Sequence, residues 1–441
     1  MCEPLPRLPL PSDDAEEWSR VVRVLSAPLT TPAQLDAALS ALGPHRCSFF
    51  STVPSTAAAA AFDFAAFFHS ALPTLVRLAL LMPSLFAQAA PPVAPSRAAC
   101  VAEGALHELR VELSHAQCAC LLAHSFRHGE PPHLSRLCVH CLFSGTAASP
   151  ASALCFLQYF AHLGAHGVPA GVLTFVRRGY RPGRPPWAWE ASGAPLCAVR
   201  LSDGPIEESA ADVHVDFANA YVGGGVMTGD FAREELLFLM KPELMVAMAL
   251  EGRMADTEMV CVRGAVQTCL TRGYGSSFEF GGACDGGASR AVPADVVAID
   301  AVRGGGPAVS EAAMLRDMNK ARIAFDGAAE VATGHWGCGA YGNNHDLMFL
   351  KQWLAASDAG VRTLHYHDFD RKQSHNIVPL VRKLQHLTVR EAWAFLRQLT
   401  ADLAPFDVAT FSRRMDDVAV GRIQVPGAPP AATRTWKAPR N

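Results

Sequence analysis

The run Val213-His214-Val215-Asp216-Phe217-Ala218-Asn219-Ala220-Tyr221-Val222-Gly223-Gly224-Gly225, followed by Arg233-Glu234-Glu235, decides the fold class. Val213–Phe217 carries the β-branched and aromatic residues of a short strand. Three consecutive glycines then let the backbone turn and approach a ligand with no Cβ in the way. A helical pattern over 234–250 completes a strand–turn–helix unit. The same alternation extends outward: strand-like runs at 259–262, 296–302, 331–333 and 361–366 alternate with helical patterns at 311–325 and 347–356. It predicts an α/β protein with a mixed, largely parallel sheet flanked by helices.

Upstream the pattern changes. Segment 57–125 is rich in Ala and Leu at helical spacing (Phe64, Phe67, Phe68 and Leu72, then Leu75, Leu78, Ala79 and Met82), and Ser114 can cap a helix starting at His115. This half reads as all-helical. Residues 1–55 hold several prolines and one helix near 14–25, with Ser12 and Asp13 as candidate caps. Pro182, Pro185 and Pro186 mark loops, and Pro426, Pro429 and Pro430 mark a tail that reads as disordered. The expected division is a partly disordered extension 1–55, an all-helical accessory domain 56–190, an α/β domain 191–425 and a disordered tail 426–441.

Of 441 residues half are hydrophobic and 18% charged, which is the composition of a globular protein. A formal net charge of -3 leaves no electrostatic footprint for duplex nucleic acid or an anionic membrane. Thirteen scattered cysteines suit a reducing compartment. Asp63, His69, Pro73, Arg77 and Pro83 interrupt the apolar stretch 57–92, leaving no run of about 18 uncharged apolar residues. The start, Met-Cys-Glu-Pro, does not read as a signal peptide. A soluble intracellular monomer is expected, without a membrane or a sequence-specific nucleic acid as partner.

Two constellations could carry chemistry. A glycine-rich turn leading to a helix N-terminus is a natural anion cradle, so Gly223, Gly224 and Gly225 are candidate phosphate contacts. Taken alone the triplet could equally be a plain loop, and the acidic pair could simply complement the helix dipole. Glu234 and Glu235 sit roughly 100° apart around the axis, so they cannot share one job. Glu235 lies four residues before Leu239, nearer the apolar stripe, where desolvation would raise its pKa as a general acid requires. Asp216 and Asn219 could hold sugar or base edges. The second constellation is Gly334-His335-Trp336-Gly337-Cys338-Gly339-Ala340-Tyr341-Gly342, a glycine-dense strand-to-helix loop of the kind that binds diphosphates. There Trp336 could brace the loop from beneath, and Cys338 reads as a packed small residue rather than a nucleophile. A third feature, Cys118-Ala-Cys120 and Cys138-Val-His-Cys141 near His115, His124 and His128, reads as reduced core cysteines ahead of a zinc ligand set.

Together these segments resemble the poly(ADP-ribose) glycohydrolase family, whose signature is three glycines, a short spacer and Gln-Glu-Glu. Here seven residues separate Gly225 from Arg233-Glu234-Glu235, with Phe238, Leu239 and Pro242-Glu243-Leu244 also fitting. The resemblance spans roughly residues 60–400. It implies a macrodomain-like core with a helical accessory domain, and poly(ADP-ribose), free or on modified proteins, as substrate. It implies no metal and no cofactor. By the same resemblance Glu235 is the acid and then the base, while Glu234, Asn219 and Asp216 complete the catalytic set. Ile206 and Glu207 would recognise adenine, Tyr274 would close over the ligand, and Gly337, Cys338, Gly339, Ala340 and Tyr341 would take the diphosphate. Tyr366 would pack on the adenosine. Nucleus or cytoplasm, and a role in reversing ADP-ribosylation after DNA damage, follow as expectations. Arg233 stands where the family has glutamine, His335 where it commonly has asparagine, and Thr271 where it often has a second tyrosine. A guanidinium on Glu235 would depress its pKa and favour a non-catalytic binding module; Arg233 could instead meet solvent or a substrate phosphate.

Overall fold

A computed structural model describes residues 6–43, 46–53, 60–93, 104–125, 137–143, 150–284, 294–305, 308, 310–368, 375–401 and 408–426. All but the first residue of the expected tail 426–441, and His128, lie outside them. Ten strands run in chain order: β1 (Leu106–Ser114), β2 (Val172–Tyr180), β3 (Ala198–Ser202), β4 (Val213–Phe217), β5 (Glu258–Arg263), β6 (Cys269–Arg272), β7 (Glu279–Ala283), β8 (Asp295–Ile299), β9 (Glu330–Gly334) and β10 (Thr363–His367). Two compact units hold them, one of residues 1–186 and 212–301, the other of 187–211 and 302–441. These units cut the chain differently from the expected boundary at 190.

In the first unit the strands lie in the order β1-β2-β5-β8-β4. The pairs β1–β2, β2–β5 and β5–β8 are antiparallel, while β4–β8 is parallel. β6 and β7 form a separate antiparallel hairpin. Helices cover this ladder with a continuous apolar core that draws on Leu8, Val21, Leu39, Phe50, Phe67, Leu78, Leu122, Phe160, Phe238 and Leu250. The described part of the extension, expected to be partly disordered, supplies the helices Ala15–Leu25 and Pro32–Leu42 to that core. Asp14, rather than Ser12 or Asp13, caps the first of them, accepting the N–H groups of Glu16 and Glu17. Ser114 caps His115–His124 as expected, in a reciprocal box with Gln117.

The accessory region is mainly helical, but not all-helical: β1 and β2 fall inside 56–190. Along β1 the residues Leu106, Glu108, Arg110 and Glu112 face solvent, while Val111 and Leu113 are buried. That alternation of period two is a half-buried strand. The helix expected over 234–250 is broken into Arg233–Met240, a 3₁₀ turn Pro242–Met245 and Val246–Leu250. Pro242, which lacks an N–H and fixes φ, interrupts the ladder there.

In the second unit β9, β10 and β3 are parallel throughout. The helices Glu311–Phe325 and His345–Asp358 pack on each other with Met318, Phe349 and Trp353 buried. Among the described residues no helix is long and apolar enough to cross a membrane.

Candidate active site

The loop from β4 to the helix Arg233–Met240 is held by the two carboxylates that open that helix. Glu234 is buried; its Oε2 accepts the Asn219 N–H at 2.8 Å and its Oε1 the Gly223 N–H at 2.6 Å. Burial, and after it the nearby Asp216 charge, pushes the Glu234 carboxyl up, against the pull of those two donors. Glu235 is 5% exposed and is held by one oxygen only, its Oε1 accepting the Gly225 N–H at 2.8 Å. Its Oε2 is buried and meets no hydrogen-bond partner among the described residues. Burial raises this carboxyl also; the Gly225 N–H opposes, and the Asp230 charge adds to the rise.

The middle glycine is dictated by this arrangement. Gly224 has φ +50°, and a Cβ there would collide with Oε1 of Glu235 and Oε2 of Glu234. The triplet is not the free anion cradle expected from its composition. The N–H of Gly224 donates to Tyr221 O at 3.2 Å, and those of Gly223 and Gly225 go to the carboxylates. Here the backbone donors orient an acid.

Around the acid, half-buried Asn219 accepts the Tyr221 N–H through Oδ1 at 3.1 Å, and its side-chain NH₂ has no acceptor among the described residues. Tyr274 is exposed; partial burial raises its phenol, the Arg233 backbone opposes, and the Glu235 charge adds to the rise. Asp216 is fully buried in β4, and its charge adds to the rise of Glu234. The Arg233 guanidinium lies over the Phe217 ring, Cζ 5.3 Å from the centroid. Behind this helix is a network that composition did not disclose: Glu243 Oε1 takes His115 Nδ1 at 2.7 Å and the Tyr159 hydroxyl at 3.1 Å. A charged residue inside the apolar run 236–250 was its only signal.

The second unit carries the other candidates. After β9, His335 is buried with Nε2 3.0 Å from Asp368 Oδ1, and Trp336 is buried under the loop. Asn343 braces the turn, its Nδ2 donating to Val302 O at 2.7 Å and to Gly337 O at 3.0 Å. Burial pushes the Cys338 thiol up to about 12, which leaves it inert as a nucleophile. Gly339 and Ala340 are exposed, and among the described residues their N–H groups donate to no acceptor. Arg303 Cζ lies 4.8 Å from the centroid of the half-buried Tyr341 ring. Ile206 is buried and Glu207 half-buried in a 3₁₀ turn after β3. Tyr366 differs from expectation. It is fully buried, edge-on to Phe349 at 5.1 Å, and offers no face to an adenosine. Both faces of β10 are covered, so every residue from Leu364 to His367 is buried.

Among the described residues, no group of three or more His, Cys, Asp or Glu is placed to hold a metal. Cys118 and Cys120 are buried in the helix His115–His124.

Two family models match the chain. The macro-domain-fold model of poly(ADP-ribose) glycohydrolase covers residues 187–376, and its helical-domain model covers 62–177. A probable poly(ADP-ribose) glycohydrolase 2 of Arabidopsis thaliana is 27% identical over 56% of this chain and 59% of its own length. Poly(ADP-ribose) glycohydrolase 2 of Caenorhabditis elegans is 30% identical over 55% of this chain and 54% of its own. The chain thus spans little more than half the length of these relatives. Among solved structures, the Thermomonospora curvata glycohydrolase aligns at 15% identity over 47% of this chain and 78% of its own, with a TM-score of 0.29. With both models matched in order and Asn219, Glu234 and Glu235 built around the glycine turn, this chain belongs to the poly(ADP-ribose) glycohydrolase family, with its helical domain and macro-domain fold.

Proposed function

We propose that the chain hydrolyses the ribose–ribose O-glycosidic bonds of poly(ADP-ribose), free or attached to modified proteins, and releases ADP-ribose. One observation carries the reading: Glu235 is anchored through Oε1 while its buried Oε2 is left without a partner. A carboxylic acid held this way, with its pKa raised by burial, keeps its proton to a higher pH than an ordinary glutamate and can give it to one oxygen. The departing ribose oxygen takes that proton as the glycosidic bond breaks. The Glu235 carboxylate then accepts a proton from the water that attacks the oxocarbenium-like sugar. The free amide of Asn219 suits a ribose hydroxyl, and Tyr274 suits closure over the ligand. Glu234, with both oxygens on backbone N–H groups, acts through the loop it fixes. The unpaired N–H groups of Gly339 and Ala340 suit an anionic group such as a diphosphate.

The test is to incubate automodified polymer with wild type and with Glu235→Gln and to quantify released ADP-ribose. The wild type should release it, and the variant should lose about 10²–10⁴-fold in rate. Undiminished release by a folded variant would remove Glu235 from the reaction. An ADP-ribose-binding module without turnover was suggested by Arg233, but a guanidinium seated on Phe217 gives that alternative no support.

A further inference from the structure

The segment 137–143 of the first unit holds Cys138-Val139-His140-Cys141, a motif that the glycohydrolase reading leaves unused. Its backbone folds into one turn, with the Cys141 N–H donating to Cys138 O at 3.0 Å, and each thiol shifts the other's titration. The turn is firmly seated. The Val139 N–H donates to Ser125 O at 2.9 Å, and Leu142 and Phe143 are buried, with Phe143 edge-on to Phe49 at 5.0 Å. Cys138 is buried and Cys141 half-buried, so Cys141 is the more exposed member of the pair. The other partly accessible cysteines among the described residues, Cys197 and Cys338, have no second thiol at this spacing.

We propose that Cys138 and Cys141 are a reversible redox pair that closes to an intramolecular disulfide by exchange with a low-molecular-weight disulfide. Cys141 attacks first. The Cys138 side chain is the largest influence on its thiol and lowers it to about 7, whereas the same contact and burial push Cys138 up. The Cys141 thiolate, having lost its proton to solvent, attacks one sulfur of the small disulfide. That S–S bond breaks, a small thiolate leaves, and a mixed disulfide remains on Cys141. Cys138 passes its proton to the released thiolate and attacks Cys141 Sγ. The second small thiolate leaves and takes a proton from solvent. Two protein thiols are oxidised, and one small disulfide is reduced to two thiols.

The full chain is equilibrated in glutathione buffers of graded oxidised fraction, quenched with an alkylating reagent and mapped by peptide mass spectrometry. The peptide carrying both cysteines should lose two hydrogens as the buffer oxidises. In Cys138→Ser the glutathione adduct should accumulate on Cys141, and in Cys141→Ser both species should vanish. A second measurement needs no variant: at neutral pH a limiting alkylating reagent should label Cys141 at least about tenfold faster than Cys197 or Cys338. Glutathione adducts on wild-type Cys141 that never resolve to the internal disulfide would overturn the proposal. So would labelling of Cys141 no faster than of Cys197 and Cys338.

Discussion

Two glycine-dense loops, each running from a strand into a helix, are braced by opposite means. Between β4 and Arg233–Met240 the brace is charged: the carboxylates of Glu234 and Glu235 take the N–H groups of Asn219, Gly223 and Gly225. Between β9 and His345–Asp358 the brace is a neutral amide, Asn343, which donates to carbonyls and leaves the N–H groups of Gly339 and Ala340 unspent. A carboxylate brace consumes donors and yields an acid with a displaced pKa. An amide brace consumes acceptors and leaves backbone donors unspent among the described residues. Similar glycine content thus serves opposite electrostatics.

The largest expected effects separate the two neighbouring glutamates. Glu235→Gln keeps an amide carbonyl for the Gly225 N–H, so its thermal midpoint should stay near wild type while turnover collapses. Glu234→Gln must point an NH₂ at one of two backbone donors, which costs about 1–3 kcal/mol of stability for the unpaired groups. Denaturant titration beside the polymer assay reads both quantities. Equal destabilisation by the two variants would erase the distinction between anchored acid and loop clamp.

Gly224→Ala comes next. It places a methyl against both carboxylates and imposes φ +50° on an L-residue. The backbone alone costs roughly 1–2 kcal/mol, and the collision displaces the acid, so turnover should fall even where the fold survives. A variant with wild-type turnover would show that the carboxylates need not sit where the loop holds them.

What the sequence disclosed and what it hid follow from the range of the signals. Val213–Phe217 and Glu311–Phe325 were legible to the residue, because a β-branched run and a helical apolar pattern are local. β1 was hidden by its own surface, since Glu108, Arg110 and Glu112 mask an alternation that only Val111 and Leu113 bury deeply. β3, five residues with Arg200 at its centre, carries too little apolar signal to stand out. In the site, spacing singled out Glu235 as the buried carboxyl, and the structure buries Glu234 as deeply, at 4% against 5% exposed. Spacing could not say that the glycine N–H groups are spent on carboxylates, nor that Tyr366 is enclosed, because both depend on contacts distant in sequence. Tyr366 marks the limit of carrying a role by position.

For the amide-braced loop the expected change is smaller. Asn343→Ala removes both Nδ2 hydrogen bonds and leaves Val302 O to find water, while Gly337 O keeps the N–H of residue 343. ADP-ribose affinity measured by calorimetry should weaken by about tenfold, the worth of roughly 1.4 kcal/mol, with little dependence on pH. A strong pH dependence of that loss would mean that His335 and Asp368, not the amide, set the loop.

A further test sharpens the pH contrast itself. Arg177 is fully buried between two carboxylates of the first unit, donating to Glu251 Oε2 at 3.1 Å and to Glu258 Oε2 at 2.9 Å. Burial pushes Glu251 up to about 7, with Arg177 pulling the other way. Burial would also raise Glu258, but His107 and Arg177 outweigh it and hold that carboxyl well below the usual carboxylate range. The signs are opposite. The Glu251 contribution is complete below the ordinary carboxylate value and is lost as pH rises through about 7. The Glu258 contribution is present above the ordinary value and is lost in acid. Wild type should therefore lose up to roughly 3 kcal/mol of stability between about pH 5 and pH 8 through Glu251 alone. Glu251→Gln should flatten that decline, and denaturant midpoints across the range measure it. Whatever slope remains belongs to other carboxyls raised by burial, Glu234 and Glu235 foremost, and Glu235→Gln in the Glu251→Gln background should reduce it again. If the slope instead survives both substitutions unchanged, the charged brace does not set the pH response of this unit.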